Sequence, residues 1–218
     1  MKGKRQRSGP VSIKSPRPRG SVREHILSAS LRLLAAHGFD GTTLQAVADE
    51  VGVTKPSVLH YFPSKEALRE AVLTQIFHHW SQVVPAAMCR AGTGPARFDV
   101  LSRELVNFYT DVPDRARLIL REMLDRPAEY RRLYLEHVRP WMAMIADGIV
   151  DGQRRGFYRS DVDAEMYLVH VVQLVVVTVA TAGVLAPPMT GGARAVLLRE
   201  LRDVGQLART CLFVPGAR

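Results

Sequence analysis

At 218 residues and 24.2 kDa, with 47% hydrophobic and 23% charged residues, the chain has ample length for a buried core and the composition of a globular protein. Most of its formal charge of +9 sits in residues 1–20, where Lys2, Lys4, Arg5, Arg7, Lys14, Arg17 and Arg19 meet no acid, leaving 23 basic against 21 acidic residues elsewhere. Cys89 and Cys211, far apart and without ligand-spaced neighbours, exclude a disulfide framework or zinc site, and the basic start lacks the apolar run of a signal peptide, so a reducing cytoplasm fits.

Residues 1–20, rich in Pro, Gly, Ser and basic groups, read as a disordered tail, either a solubilising extension or an arm for a DNA minor groove. Ser21 and Glu24 then form a capping box, opening a helix with Ile26, Ala29, Ser30, Leu33 and Leu34 on one face and Gly38 at its end. Thr42 and Gln45 suggest a second capping box, before a helix carrying Leu44, Val47, Ala48 and Val51 that stops at Gly52. Thr54 caps a third helix, which tolerates Pro56 in its first turn, where the missing N–H has no intrahelical partner. Pro63 closes that helix and Ser64 caps a fourth, running to about residue 84. Two short helices joined by a tight glycine turn behind a longer one make a helix-turn-helix unit.

Helical spacing continues beyond it. Gly92 to Pro95 is a break, 96–110 carries Phe98, Leu101, Leu105 and Phe108 on one face, and Pro113 starts a short helix to about Leu124. From Pro127 to about Arg155, Tyr130, Tyr134, Val138, Met142, Ile145 and Ile149 form a stripe that Pro140 should kink. After Gly156, Asp161 or Asp163 caps an apolar segment reaching Ala186. Met166 to Ala186 is uncharged and long enough to raise a membrane span, but its interruption by His170, Gln173, Thr178 and Thr181 favours a buried helix. Residues 187–192 read as a loop, and a last helix carries Leu197, Leu201, Val204, Ala208 and Cys211.

The third helix has the chemistry for a DNA major groove, which admits a helix with its N-terminal residues leading. Lys55 and Ser57 lie in its first turn, within reach of base edges or phosphates; Val58 faces inward; Leu59 suits apolar contact with a thymine methyl; His60 and Tyr61 can donate to phosphate. Lys65, in the first turn of the next helix, adds charge where the helix dipole already attracts phosphate. Yet residues 21–66 hold four basic and five acidic residues, so the unit has no general basic patch, and the same geometry occurs in proteins that bind no DNA.

The run from Gly38 to Leu68, GFDGTTLQAVADEVGVTKPSVLHYFPSKEAL, resembles the signature of the TetR family of bacterial transcriptional regulators, and Gly156 to Asp163, GFYRSDVD, resembles a common feature of that family's second domain. The resemblance implies an all-α homodimer on a palindromic operator: a helix-turn-helix domain over 21–66 and a helical effector-binding and dimerisation domain over 67–213. By position, it makes Thr43, Tyr61 and Lys65 phosphate contacts and Gln45, Lys55, Ser57 and His60 base or groove contacts. Leu59 stands where the family commonly has Tyr, and Pro56 where Gly is frequent.

In the second half, Phe77, Trp80, Phe108, Tyr134, Trp141, Met144 and Tyr167 are candidate walls of a cavity for a small hydrophobic effector, with His170 and Gln173 as polar anchors, although for any one of them core packing is the favoured role. Residues 163–186 and 194–213 carry more apolar surface than one domain needs and suit a dimer interface of four helices. His78 and His79 point about 100° apart on a helix and do not chelate one metal together. No nucleophile–base pair, phosphate loop or acid pair speaks for an enzyme, and no cofactor is implied. A ligand-responsive repressor is the leading expectation, beside a DNA-binding regulator controlled by a protein partner, an interaction module that retains the fold without DNA, and a membrane-anchored regulator.

Overall fold

The structure, a computed structural model, describes residues 21–90, 94–182, 184 and 192–214. The basic tail, the Gly92–Thr93 break and the 187–191 loop therefore lie outside the described residues. The described chain is all helical: α1 Val22–Gly41, α2 Leu44–Val51, α3 Lys55–Tyr61, α4 Lys65–Arg90, α5 Pro95–Asp111, α6 Asp114–Asp125, α7 Pro127–Leu133, a π-helical turn Tyr134–Val138, α8 Arg139–Arg154, α9 Ala164–Ala180 and α10 Gly192–Leu212. Among the described residues the β pairing is a single bridge between Tyr158 and Phe213, and no helix is long and apolar enough to cross a membrane.

The caps follow local chemistry, with one shift. Ser21 and Glu24 complete the capping box of α1. For α2, however, Thr43 is the cap, accepting from the Ala46 N–H at 3.0 Å. Thr42 is buried and donates to the Gly38 carbonyl at 2.8 Å, because Gly38 (φ 71°) breaks α1 and frees carbonyls in its last turns. Asp163, and not Asp161, caps α9 through the Met166 N–H at 2.9 Å; Asp161 pairs with Arg159.

Two prolines act differently from expectation. The fourth helix does not stop near residue 84 but passes through Pro85 to Arg90, held by the packing of Val84 and Ala87 on its buried face. Ahead of Pro140 the chain does not simply kink: it widens into the π-helical turn, in which the Arg139 N–H donates to the Tyr134 carbonyl five residues back.

α1 to α3 pack as a three-helix unit on Ile26, Leu34, Val47, Ala48 and Val58, all nearly inaccessible to solvent. α4 begins against α1 and runs on into the second half, so the core is continuous through Leu68, Leu73, Phe77 and Trp80. The boundary expected at residue 66 falls within the first turn of this helix. α6 wedges between α1 and α9. Its Glu122 meets Arg69 of α4 at 2.7 Å, both side chains almost wholly buried. Burial pushes the Glu122 carboxyl up, and the Arg69 guanidinium opposes that rise.

Candidate nucleic-acid interface and ligand cavity

α3 is placed by its two ends. Gly52, in the left-handed region (φ 75°, ψ 33°), returns N–H groups to the end of α2, and Val53 bonds back to the Ala48 carbonyl at 2.9 Å. The Thr54 hydroxyl then accepts from the Ser57 N–H and shares a 2.9 Å bond with the Ser57 hydroxyl. Val58 is α3's one fully buried side chain. It therefore turns Lys55, Pro56, Leu59, His60 and Tyr61 outward, all exposed, with Ser57 half-buried. Seven residues give a rod roughly 10 Å long, suited to a major groove about 12 Å wide.

The expected contact residues stand in different surroundings. Thr43 and Gln45 are exposed at the start of α2, and the Gln45 amide donates to Asp49 at 2.7 Å. His60 and Tyr61 stack edge to face at 5.3 Å. Lys65 lies half-buried with its Nζ 4.2 Å from the centre of the Phe39 ring, so it must leave that ring to reach a phosphate. The near-neutral charge of the unit conceals a local asymmetry: Arg32 is taken up by Glu50 at 2.6 Å, while α3 contains no acid and Lys55 has no ion-pair partner among the described residues.

The second half forms a partly open cavity of about 550 Å3 between α4, α5, α6, α8 and α9. Six expected residues line it: Phe77, Trp80, Tyr134, Trp141, Tyr167 and Gln173. Three do not. Phe108 is buried in the adjacent wall, edge-on to Trp80 at 5.2 Å and stacked on His79 at 4.3 Å. Met144 is exposed on the outer side of α8, and His170 is exposed on the outer side of α9 in a shallow groove with Leu174 and Val177. Met144 and His170 lie off the faces that their helices bury, whereas Phe108 is itself buried on α5 and spends its ring on Trp80 and His79 beside the cavity. The apolar stripe Tyr130, Tyr134, Val138, Met142, Ile145 and Ile149 lines the cavity throughout. Spacings of four drift about 40° per step on an α-helix, and the π-helical turn resets that drift.

Arg97, Ser102, Tyr109 and Met123 also line the wall and were missed from sequence. The signal for Arg97 was present, since Arg97, Leu101 and Leu105 repeat at intervals of four on one face of α5. Burial pushes the Tyr109 and Tyr130 hydroxyls well above the ordinary tyrosine value, so both stay protonated. Tyr158 and Tyr167 spend their hydroxyls on the Gly94 and Ala208 carbonyls, at 3.1 and 2.9 Å. Among the described residues no group of three or more potential metal ligands forms.

α6 joins the two regions. One face presents Ile119, Leu120 and Met123 to the cavity. From the other, Arg121 donates to the carbonyls of Ala35 and Ala36 at 2.9 and 3.1 Å, the acceptors that the break at Gly38 leaves exposed in α1.

A sequence model of the family described as "Bacterial regulatory proteins, tetR family" matches residues 26–72. The chain is 38% identical over 112 residues to the HTH-type transcriptional regulator RutR of Escherichia coli K12, covering 51% of this chain and 52% of RutR; it thus spans about half the length of that relative. It is 26% identical over 154 residues to the HTH-type transcriptional repressor KstR2 of Rhodococcus jostii, covering 66% of this chain and 71% of KstR2. The fold extends further: the fatty acid degradation regulator FadR of Bacillus halodurans superposes with a TM-score of 0.71 at 15% identity, covering 92% of this chain and 98% of that one.

Proposed function

Through residues 26–72 the chain belongs to the TetR family of bacterial regulatory proteins, and from that premise we propose that it is a cytoplasmic, ligand-responsive repressor that binds a palindromic operator as a homodimer. It acts by binding and not by catalysis. α3 enters the major groove with Lys55, Ser57, Leu59 and His60 foremost; Thr43, Gln45, Tyr61 and Lys65 engage the flanking backbone and groove edge. Each subunit contributes one half-site, with half-sites about 34 Å apart.

The observation that carries the regulatory half of this reading is the double face of α6. A molecule in the cavity presses on Ile119, Leu120 and Met123, and the same helix grips α1 through Arg121 and α4 through Glu122. A shift that accommodates the ligand is thereby imposed on the helix-turn-helix unit and alters the spacing of the two recognition helices. The exposed apolar residues Met166, Leu174 and Val177 of α9 and Leu198 and Leu207 of α10 support pairing of two chains through these helices.

Selection from a randomised duplex pool with the purified full-length protein, at near-physiological salt, tests the DNA reading. Enrichment of one palindrome is the expected result. A pool that stays unenriched would remove the assigned base contacts and leave non-specific or partner-dependent binding.

A further inference from the structure

We infer that the cavity takes an apolar acid, its single anionic group held by Arg97 and its body lying along α8 toward the paired tryptophans. The inference rests on the cavity being the effector site and names the chemistry of that effector.

Arg97 is the one charged side chain in the described wall. It has no carboxylate partner among the described residues. Among the described residues its Nη2 makes only a long 3.4 Å bond to the Met88 carbonyl, and its buried Nε meets no acceptor. A guanidinium offers five donors in a fork matched to a carboxylate, so this one is left largely unspent beside an apolar space. The wall makes room for it: a Cβ at residue 148 would stand 3.3 Å from Arg97 Nη1 and 2.8 Å from Met88 Cε, and Gly148 has none. A cationic ligand would meet this charge unscreened, and a neutral one would leave its donors unmet.

The opposite end sets the length. Trp141 stands seven residues before Gly148 on the same helix, roughly 10 Å along its axis. It stacks on Trp80 at 5.7 Å, and its indole N–H is buried without a partner among the described residues. Between the two ends the wall is aliphatic and aromatic: Leu101, Leu105, Met142, Ile145 and Leu168. At about 30 Å3 for a water-sized group, the space holds on the order of 20 non-hydrogen atoms. An acceptor on the ligand's far end would complete the Trp141 N–H.

Trp80 and Trp141 are the chain's two tryptophans and both line the cavity, so intrinsic fluorescence reads its occupation directly. The experiment titrates the full-length protein with decanoate, 1-decanol and decylamine, three probes of one chain length and different head charge. Saturable quenching by decanoate at a concentration about tenfold below that of 1-decanol, with decylamine weakest, is expected. The Arg97→Met variant should bring decanoate to the level of 1-decanol, and Arg97→Lys should restore part of the preference. Equal or tighter binding of 1-decanol or decylamine to the wild-type protein overturns the inference, and this comparison needs no variant. Absence of quenching by all three overturns it as well. The reading of the chain as an operator-binding regulator is scored separately by the pool selection, which uses no ligand. If decanoate binds through Arg97 yet leaves the selected operator bound, the acid-binding site stands and ligand gating fails.

Discussion

Lys55 and Lys65 bracket one helix but stand in different surroundings, and their substitutions should separate. Lys55 projects from α3 into solvent, so Lys55→Ala should leave stability within about 0.5 kcal/mol of wild type. Its operator affinity should fall, and if a phosphate is among its contacts the salt slope should flatten by about 0.9. Lys65→Ala removes a cation from the Phe39 ring and should cost about 0.5–1 kcal/mol of stability besides its DNA contact. Urea denaturation beside a salt-dependent binding isotherm checks both. Equal stability loss in the two variants would refute the distinction. His79 gives a pH prediction at the same scale. Desolvation and the nearby Arg115 hold its pKa below the ordinary 6.5. A depressed histidine binds fewer protons folded than unfolded in this window, so its contribution to stability is present above 6.5 and is lost as pH falls through the folded value. Urea midpoints at pH 7.5 and 5.5 should therefore draw closer in His79→Phe than in wild type; an unchanged difference would refute the assignment.

α6 is the element on which the proposed gating turns, and its two polar links carry separable predictions. The Arg69–Glu122 pair is buried, so removing one partner strands the other charge: Arg69→Ala or Glu122→Ala should destabilise by about 3–5 kcal/mol. The double replacement Arg69→Met/Glu122→Leu should cost much less than the sum of the two single losses. Denaturant unfolding of the three variants decides this; additive losses would mean that the charges do not act as a pair. Arg121→Ala affects a more exposed link, two hydrogen bonds to the end of α1, and should cost about 1.5–3 kcal/mol. Its more informative effect is on coupling: operator affinity should respond less to an occupied cavity while occupation itself, read by tryptophan fluorescence, is unchanged. An undiminished response would place the coupling in α4 alone.

For the whole molecule, the proposed operator recognition requires dimerisation, because one recognition helix reads only one half-site. Leu207 is prominently exposed on α10. Leu207→Glu should convert a dimer to monomers in sedimentation velocity, with helical content retained by circular dichroism and specific operator binding lost. A variant that stays dimeric would move the interface away from this face. The continuous core under α4 and α6 makes the same point about scale: the recognition unit and the cavity share one packed interior, so neither senses the other through a flexible linker.

Caps, glycines and apolar periodicity are local, and they made the helix-turn-helix legible before any coordinates: Ser21 with Glu24, Gly52, Thr54 and the inward Val58 stand where their chemistry requires. The stripe from Tyr130 to Ile149 was legible for the same reason, and all six of its residues face one cavity. What a stripe faces is not local. Met144 and His170 share helices with true wall residues but lie on the outer faces, Phe108 is buried just beside the cavity and not in its lining, and only the packing of α4, α5, α8 and α9 sorts them. The shift of the α2 cap from Thr42 to Thr43 depends on the carbonyl that Gly38 frees in α1. The sequence by itself thus determined helices, their ends and the face that α3 exposes, because those follow from hydrogen bonds and spacing within a few turns. Tertiary structure alone decided that Arg97 borders an apolar cavity without a counter-charge and that α6 touches both cavity and recognition unit, because both facts arise from residues distant in the chain meeting across a packed core.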